Sequence, residues 1–530
     1  MLFTSYEFLF FLIITLLLYY IIPSKMQWVF LLGASYFFYF MAGHGYLLYI
    51  VITTITIWFT AYKIDLLNGK QKKYIVENKE KKTKEEIKRY KSEIKRKQRI
   101  YMLVGLLLNL GILAVVKYSN FTIANINEIL KVIGSNKKIT YVDFLLPMGI
   151  SFYTFQAVSY LLDVYRGTIK SEKNIFKFAL FVSFFPQLVQ GPISRFSNLS
   201  ETLFQEHKFQ LKTLSFGLQR VLWGYFKKVV IADRILVAVN TIIRDTDNYQ
   251  GTYVFIGMLF YALELYADFT GGIDITIGIA QAMGIRVTEN FIRPYFSKSI
   301  KEYWRRWHIT MGTWFTDYIF YPISVCKPML KLSKFSRKHF GEQIGKRIPI
   351  YLSSFAVWLA TGIWHGASWN FVVWGLANWG VIMISQEMEP LYKRFHGKFH
   401  VKEKRSYDYF QIIRTVLLMS CLRMLDCYRD VPLTFRMFGT MLAKWDFKVF
   451  YDGSLLGLGL DFCDYIILAF GVVLLIVVSC LQRKRSVRER IAEKSYPIRF
   501  CIWYGLFLVV LLMGAYGIGY DASQFIYNQF

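Results

Sequence analysis

Between Lys25 and Lys63 the chain carries no Lys, Arg, Asp or Glu. The same is true between Arg347 and Glu387 and between Arg499 and Asp521. A helix needs about 20 apolar residues to cross the hydrocarbon core of a bilayer. The first two stretches are therefore long enough for two crossings each, and the third for one. Of the 530 residues, 55% are hydrophobic and 18% aromatic. This pattern predicts an all-α polytopic membrane protein rather than a string of soluble domains.

Helical spans are expected near residues 6–23, 27–42, 46–62, 100–117, 144–163, 176–190, 250–267, 349–364, 369–387, 408–425, 464–482 and 500–520. That amounts to about 11–12 transmembrane helices, with some of the segments in 100–326 re-entrant. The formal net charge is +28, gathered in Lys70–Arg99, Lys327–Arg347, Lys393–Arg405 and Arg483–Arg499. Basic clusters can signal nucleic acid. Clusters lying between apolar spans fit the positive-inside rule instead, which makes them cytoplasmic and assigns no nucleic-acid partner. Parity then places both termini outside. Phe8–Ile22 reads as the first span and not as a cleaved signal, because no basic region precedes it. None of the six cysteines makes a CxxC pair or a zinc-type spacing, so no metal site is expected.

The chain reads as one membrane domain, residues 1–530, with a basic cytoplasmic segment at 66–99. In that segment Glu77–Lys81 and Glu93–Lys97 have helical i,i+4 spacing, which suits a solvated helix beside anionic headgroups. In residues 210–245, Lys212, Arg220, Lys227, Lys228, Asp233 and Arg234 interrupt an apolar pattern. This predicts a helix lying along the membrane interface.

An ionisable group at membrane depth is costly and marks a functional candidate. Three places qualify. His365, in Trp364-His365-Gly366-Ala367-Ser368-Trp369-Asn370, is a lone imidazole in an uncharged stretch among small residues. Its bland alternative is a core histidine bonded to a carbonyl. The second place is Trp304-Arg305-Arg306-Trp307-His308, followed by Trp314-Phe315-Thr316-Asp317-Tyr318. It reads either as an interfacial anchor or as a site where Arg305 and Arg306 grip a phosphate while His308 faces inward. The third is Glu264 through Asp274, with carboxylates at 264, 268 and 274. Here Gly271-Gly272 is expected to break the helix, and Asp268 and Asp274 to pair with arginines such as Arg293, Arg305 or Arg306.

At these residues the sequence resembles the membrane-bound O-acyltransferase family, most closely its alginate O-acetyltransferase-like branch. The teichoic-acid D-alanyl transferases are nearer relatives than the lipid and protein acyltransferases. The resemblance runs through Phe3–Phe10, Pro147–Gln156, Tyr160–Gly167, Phe184–Ile193 and Phe226–Asp233. It is most specific in Glu289-Asn290-Phe291, Trp304–His308 and Trp364-His365-Gly366. Thr316, Gly272-Ile273 and Asn378-Trp379 depart from the pattern.

The resemblance implies helices around a central catalytic tunnel, with His365 catalytic and His308 the second functional histidine. Trp304, Asp317, Asp268, Asp274 and Asn370 would support them. The implied reaction moves an acetyl or other acyl group from a cytoplasmic thioester, such as acetyl-CoA, to a hydroxyl reached from outside, with no bound cofactor. An extracytoplasmic acetyltransferase partner, a polysaccharide acceptor, surrounding membrane lipids and a bacterial plasma-membrane location follow from the same resemblance. A lipid acyltransferase of the family and a polysaccharide transporter or flippase stay open at this level.

Overall fold

The computed structural model describes residues 3–144, 146–401 and 403–516. Among these the regular structure is helical, and the chain divides into two compact units. Five helices are long and apolar enough to cross a membrane by length and composition alone: Tyr46–Asn78, Lys84–Val132, Thr252–Ala282, Phe462–Leu481 and Tyr496–Met513. The chain is a multi-pass membrane protein. The helices expected near 27–42, 369–387 and 408–425 are also present.

The first unit comprises Met1–Ser215 with Ile279–Thr288. Its Tyr46–Asn78 helix (α1) and Lys84–Val132 helix (α2) pack together as a hairpin. The expected basic segment is therefore the tip of two long helices that continue into the apolar spans. A capping box starts α2: the Thr83 hydroxyl accepts from the Glu86 N–H, and the Glu86 carboxylate accepts from the Thr83 N–H. Two otherwise unsatisfied donors at the helix start are thereby bonded. Tyr74 stacks on Tyr90 across the hairpin, with ring centroids 3.8 Å apart. The i,i+4 ion pairs are Lys73–Glu77, Lys82–Glu86 and Arg89–Glu93, a different set from the spacing-based pairs. The expected span 176–190 is broken: one helix ends at Ser183 and a short turn begins at Phe185-Pro186. Proline at 186 removes an N–H and favours such a break.

The second unit comprises Phe216–Gly278 and Glu289–Phe530. The helices that build the site are Leu211–Tyr225 (α3), Thr252–Ala282 (α4), Ile309–Phe315 (α5), Lys327–His365 (α6), Trp369–Glu387 (α7), Arg405–Tyr428 (α8), Phe462–Leu481 (α9) and Tyr496–Met513 (α10). α6 is interrupted at Gly341, where φ is 77°. The last expected span ends partly outside the described residues, at 517–520.

Two expectations for this unit are corrected. Gly271-Gly272 does not break a helix, because α4 runs unbroken through it. The glycines instead let backbones approach. A Cβ on Gly224 would lie 2.6 Å from the Gly271 carbonyl oxygen, and one on Gly278 would lie 2.8 Å from that of Gly217. Gly217 and Gly224 on α3 thus face Gly278 and Gly271 on α4 at matching two-turn spacing. Close helix packing of this kind is how small residues are used inside membranes.

The second correction concerns residues 210–245. A π-helical turn, Phe226–Ala232, follows α3, and Lys227, Lys228, Asp233 and Arg234 are all buried. This part of the segment is an internal element, not an interfacial helix. Its charges are buried because partners on α4 and α9 meet them.

Candidate active site

His308 occupies the turn that opens α5, with φ 47° and ψ 53° and no solvent exposure. A left-handed backbone is unusual for any residue with a Cβ and has to be held by its surroundings. Asn290 supplies the hold. Its backbone carbonyl accepts from the Ile309 N–H at 3.0 Å. Its side-chain Oδ1 accepts from the Thr310 N–H at 3.0 Å and the Thr310 hydroxyl at 2.9 Å.

The same contacts orient the imidazole. Only an oxygen can accept from the Thr310 N–H, so the amide of Asn290 has one permitted orientation. Its Nδ2 lies 3.2 Å and its Oδ1 3.3 Å from His308 Nδ1, so the amide holds the ring from both of its polar atoms.

His365 ends α6 and is also buried. Its ring meets Trp374 edge-on at 4.7 Å and stacks over Phe371 at 6.4 Å. Gly366 is required next to it: a Cβ there would lie 2.2 Å from the Phe371 ring. Gly362 and Gly375 similarly let α6 and α7 come close, since a Cβ on either would lie 2.5 Å from a carbonyl oxygen of the other helix. The Trp364 indole joins the two histidines. Its ring centroid is 5.1 Å from that of His365 and 5.9 Å from that of His308. Phe269 closes the other side of His308 at 5.0 Å.

The remaining expected residues fall into separate groups. Trp304 donates to Asn378 Oδ1 at 3.2 Å and packs on Trp358 and Trp374. Asn370 donates to the Leu425 carbonyl at 3.0 Å, tying α7 to α8. Asp317 lies half-buried in a π-helical turn, Thr316–Phe320. Arg305 is exposed, while Arg306 pairs with Glu302 at 2.5 Å.

Asp268 and Asp274 do pair with cations, but not with the arginines expected. Asp268 meets Lys228 Nζ at 2.6 Å, and Asp233 meets the same amine at 2.8 Å. Asp274 takes Arg220 Nε at 2.7 Å and Lys227 Nζ at 2.5 Å. Arg220 also grips Glu289 with two nitrogens, each 2.6 Å from a carboxylate oxygen. The partners come from α3 and the π-helical turn because those elements pack on α4, whereas Arg305 and Arg306 lie on a different turn.

Two residues of this region were not singled out from the sequence. Asn290 was legible only as part of Glu289-Asn290-Phe291. Arg423 was signalled by a cation inside an expected span. It is buried in a cage of indoles, 5.0 Å from the Trp307 and Trp374 rings and 5.7 Å from Trp304. Such contacts stabilise a desolvated guanidinium by about 2 kcal/mol or more. The Asp426 carboxylate lies 3.5 Å from it.

Two buried imidazoles thus lie against one indole in a helical membrane protein. Residues 170–428 match the model of the membrane-bound O-acyltransferase family, and the chain belongs to that family. It is 33% identical over 377 residues to a probable alginate O-acetylase of Azotobacter vinelandii, covering 71% of this chain and 66% of that protein. It is 37% identical over 276 residues to a probable alginate O-acetylase of Pseudomonas syringae, covering 52% of this chain and 49% of that one. A peptidoglycan O-acetyltransferase of Helicobacter pylori is 29% identical over 325 residues, covering 56% and 58%. The matches thus span about half to two thirds of the length of these relatives.

Proposed function

We propose that this chain, acting as one membrane domain, is an O-acyltransferase that moves an acetyl or other small acyl group from a thioester to a hydroxyl of a cell-envelope polysaccharide. The placement of His308 and His365 on the Trp364 indole carries this reading. The activities of the relatives, on alginate and peptidoglycan, support the acceptor class.

A hydroxyl is a poor nucleophile at neutral pH and needs a base within hydrogen-bond reach. His365 takes the hydroxyl proton as the oxygen attacks the thioester carbonyl. The carbonyl π electrons move onto oxygen, and the His308 Nε2–H donates to that developing charge. The C–S bond then breaks as the C=O re-forms. The thiolate leaves and takes the proton from the His365 imidazolium, which restores the neutral ring. No acyl-enzyme is needed.

The donor is a cytoplasmic acyl thioester such as acetyl-CoA, with Arg305 and Arg306 at its phosphates, and the acceptor is reached from the opposite side. An extracytoplasmic acetyltransferase completes delivery to the polymer. The test is incubation of the purified full chain, alone and with candidate partners, with radiolabelled acetyl-CoA and polysaccharide acceptors. Label on a polymer hydroxyl is expected. Label appearing on a glycerol or sterol hydroxyl instead would replace this reading with a lipid acyltransferase.

A further inference from the structure

Along α7 three hydrogen-bonding side chains follow one another at four-residue steps: Asn370, Trp374 and Asn378. Residues four apart on a helix share a face, one turn apart. All three are buried. Asn378 is fully used: its Oδ1 accepts from Trp304 Nε1 at 3.2 Å, and its Nδ2 donates to the Trp374 carbonyl at 2.8 Å. The other two each keep an unused atom. Asn370 donates through Nδ2 to the Leu425 carbonyl at 3.0 Å, which fixes its amide, because a carbonyl only accepts. Among the described residues its Oδ1 has no hydrogen-bond partner, and neither has the indole Nε1 of Trp374. Each residue is only 1% exposed.

The Trp374 ring is held where it is by Trp304 at 5.6 Å, His365 at 4.7 Å and the Arg423 guanidinium at 5.0 Å. Buried donors and acceptors without partners are destabilising and rare in folded proteins, so this pair calls for a ligand that meets both. The pair is one acceptor and one donor, a helical turn apart. A phosphate or a carbonyl only accepts and would leave Asn370 Oδ1 unmet. A secondary amide points its N–H and its C=O in opposite directions, and an alkyl chain meets neither atom. A hydroxyl meets both, because it accepts from the indole N–H and donates to Oδ1. It is not the hydroxyl that reacts, since that one gives its single proton to His365. It is a second hydroxyl beside it.

We propose that Asn370 and Trp374 form an acceptor subsite that reads a second hydroxyl, on the carbon adjacent to the one acylated at His365. The substrate class is thereby a vicinal diol, which a sugar ring supplies and a lone alcohol does not. This rests on the acyl-transfer reading for the role of His365 and adds to it the requirement for two neighbouring hydroxyls.

The test is binding without donor, which separates it from the transfer reaction. Saturation-transfer NMR of the full chain in detergent compares methyl β-D-mannopyranoside with its 2-, 3-, 4- and 6-deoxy forms. The parent should bind. Two deoxy forms altered at adjacent carbons should bind at least about fivefold more weakly, the effect of leaving a buried polar group unmet. Replacing Trp374 with 3-benzothienylalanine keeps the shape of the ring and removes the N–H. In that variant, checked first for a monodisperse elution profile and helical circular dichroism, the penalty at one of the two carbons should vanish, because the contact is already lost. Unchanged affinity of the parent for the variant would leave only a buried water at this pair and overturns the proposal. Equal binding of all five glycosides by the unmodified chain, losses at non-adjacent carbons, or no binding of the parent also overturns it. The acyl-transfer reading is judged separately by label on a polymer hydroxyl, so a chain that transfers label yet binds all five glycosides equally loses only the subsite.

Discussion

Asn290 Nδ2 lies 3.2 Å and Oδ1 3.3 Å from His308 Nδ1, and the same Oδ1 accepts from the Thr310 N–H and hydroxyl. One amide therefore sets the backbone turn and the ring orientation of His308. Asn290→Asp should leave only acceptors beside Nδ1. A carboxylate accepts from Nδ1–H and leaves Nε2 as an acceptor. Loss of one oxyanion donor lowers kcat by about 10²–10³-fold, so kcat should fall by that range with KM for the acceptor little changed. The pH profile should also shift, since a buried carboxylate beside the ring favours the imidazolium. Steady-state kinetics across pH check this, and an unchanged kcat and profile in Asn290→Asp would show that His308 needs no fixed tautomer.

His365→Ala should lose about 10²–10⁴-fold in transfer rate, the usual contribution of general-base catalysis, with helical content and donor binding retained. His365→Gln keeps a hydrogen-bonding group but cannot accept the proton at neutral pH. Near wild-type transfer by His365→Gln would leave His365 only an orienting role.

Asp268 shares the Lys228 amine with Asp233, and all three side chains are almost wholly buried. Breaking a buried pair by removing one charge costs about 3–5 kcal/mol. Asp268→Asn should therefore lower folded yield and thermal stability as well as activity. Neutralising both partners in Asp268→Asn/Lys228→Gln should restore part of the stability. A stable but inactive Asp268→Asn chain would point to a direct catalytic role.

The helix contact at Gly224 gives a prediction free of charge effects. In Gly224→Ala the new methyl meets backbone, the Gly271 carbonyl oxygen at 2.6 Å and the Ile275 N at 2.9 Å, so no side chain can swing away. Overpacking of this kind costs about 1–3 kcal/mol. Gly111→Ala is the control, because nothing lies within 4 Å of its new methyl. Thermal unfolding in one detergent should separate the two variants, and equal melting temperatures would contradict the close approach of α3 and α4.

The positive-inside assignment predicts that Lys84→Cys and Lys398→Cys, both at exposed positions, react with a membrane-impermeant thiol reagent only after the cytoplasmic side is opened. Labelling of either from the outside alone would overturn the topology.

The sequence by itself determined the class of protein and much of the helix layout. In hydrocarbon each span must satisfy its own backbone hydrogen bonds, so long apolar runs declare themselves through local composition. His365 was legible for a related reason: a lone imidazole in an uncharged stretch stands out without any knowledge of its neighbours. Partner choice was not legible. Asp268 and Asp274 sit within a few residues of Gly271, yet their cations arrive from 220–228. Which cation reaches them depends on which helix the glycines let approach. The glycine pair itself looked like a helix break, because local propensity favours that reading. Packing against α3 overrode it. Arg423 among three indoles and Asn290 beneath His308 were likewise decided by the tertiary structure. Their contacts join residues from separate helices and turns, and no periodicity along the chain encodes which faces will meet.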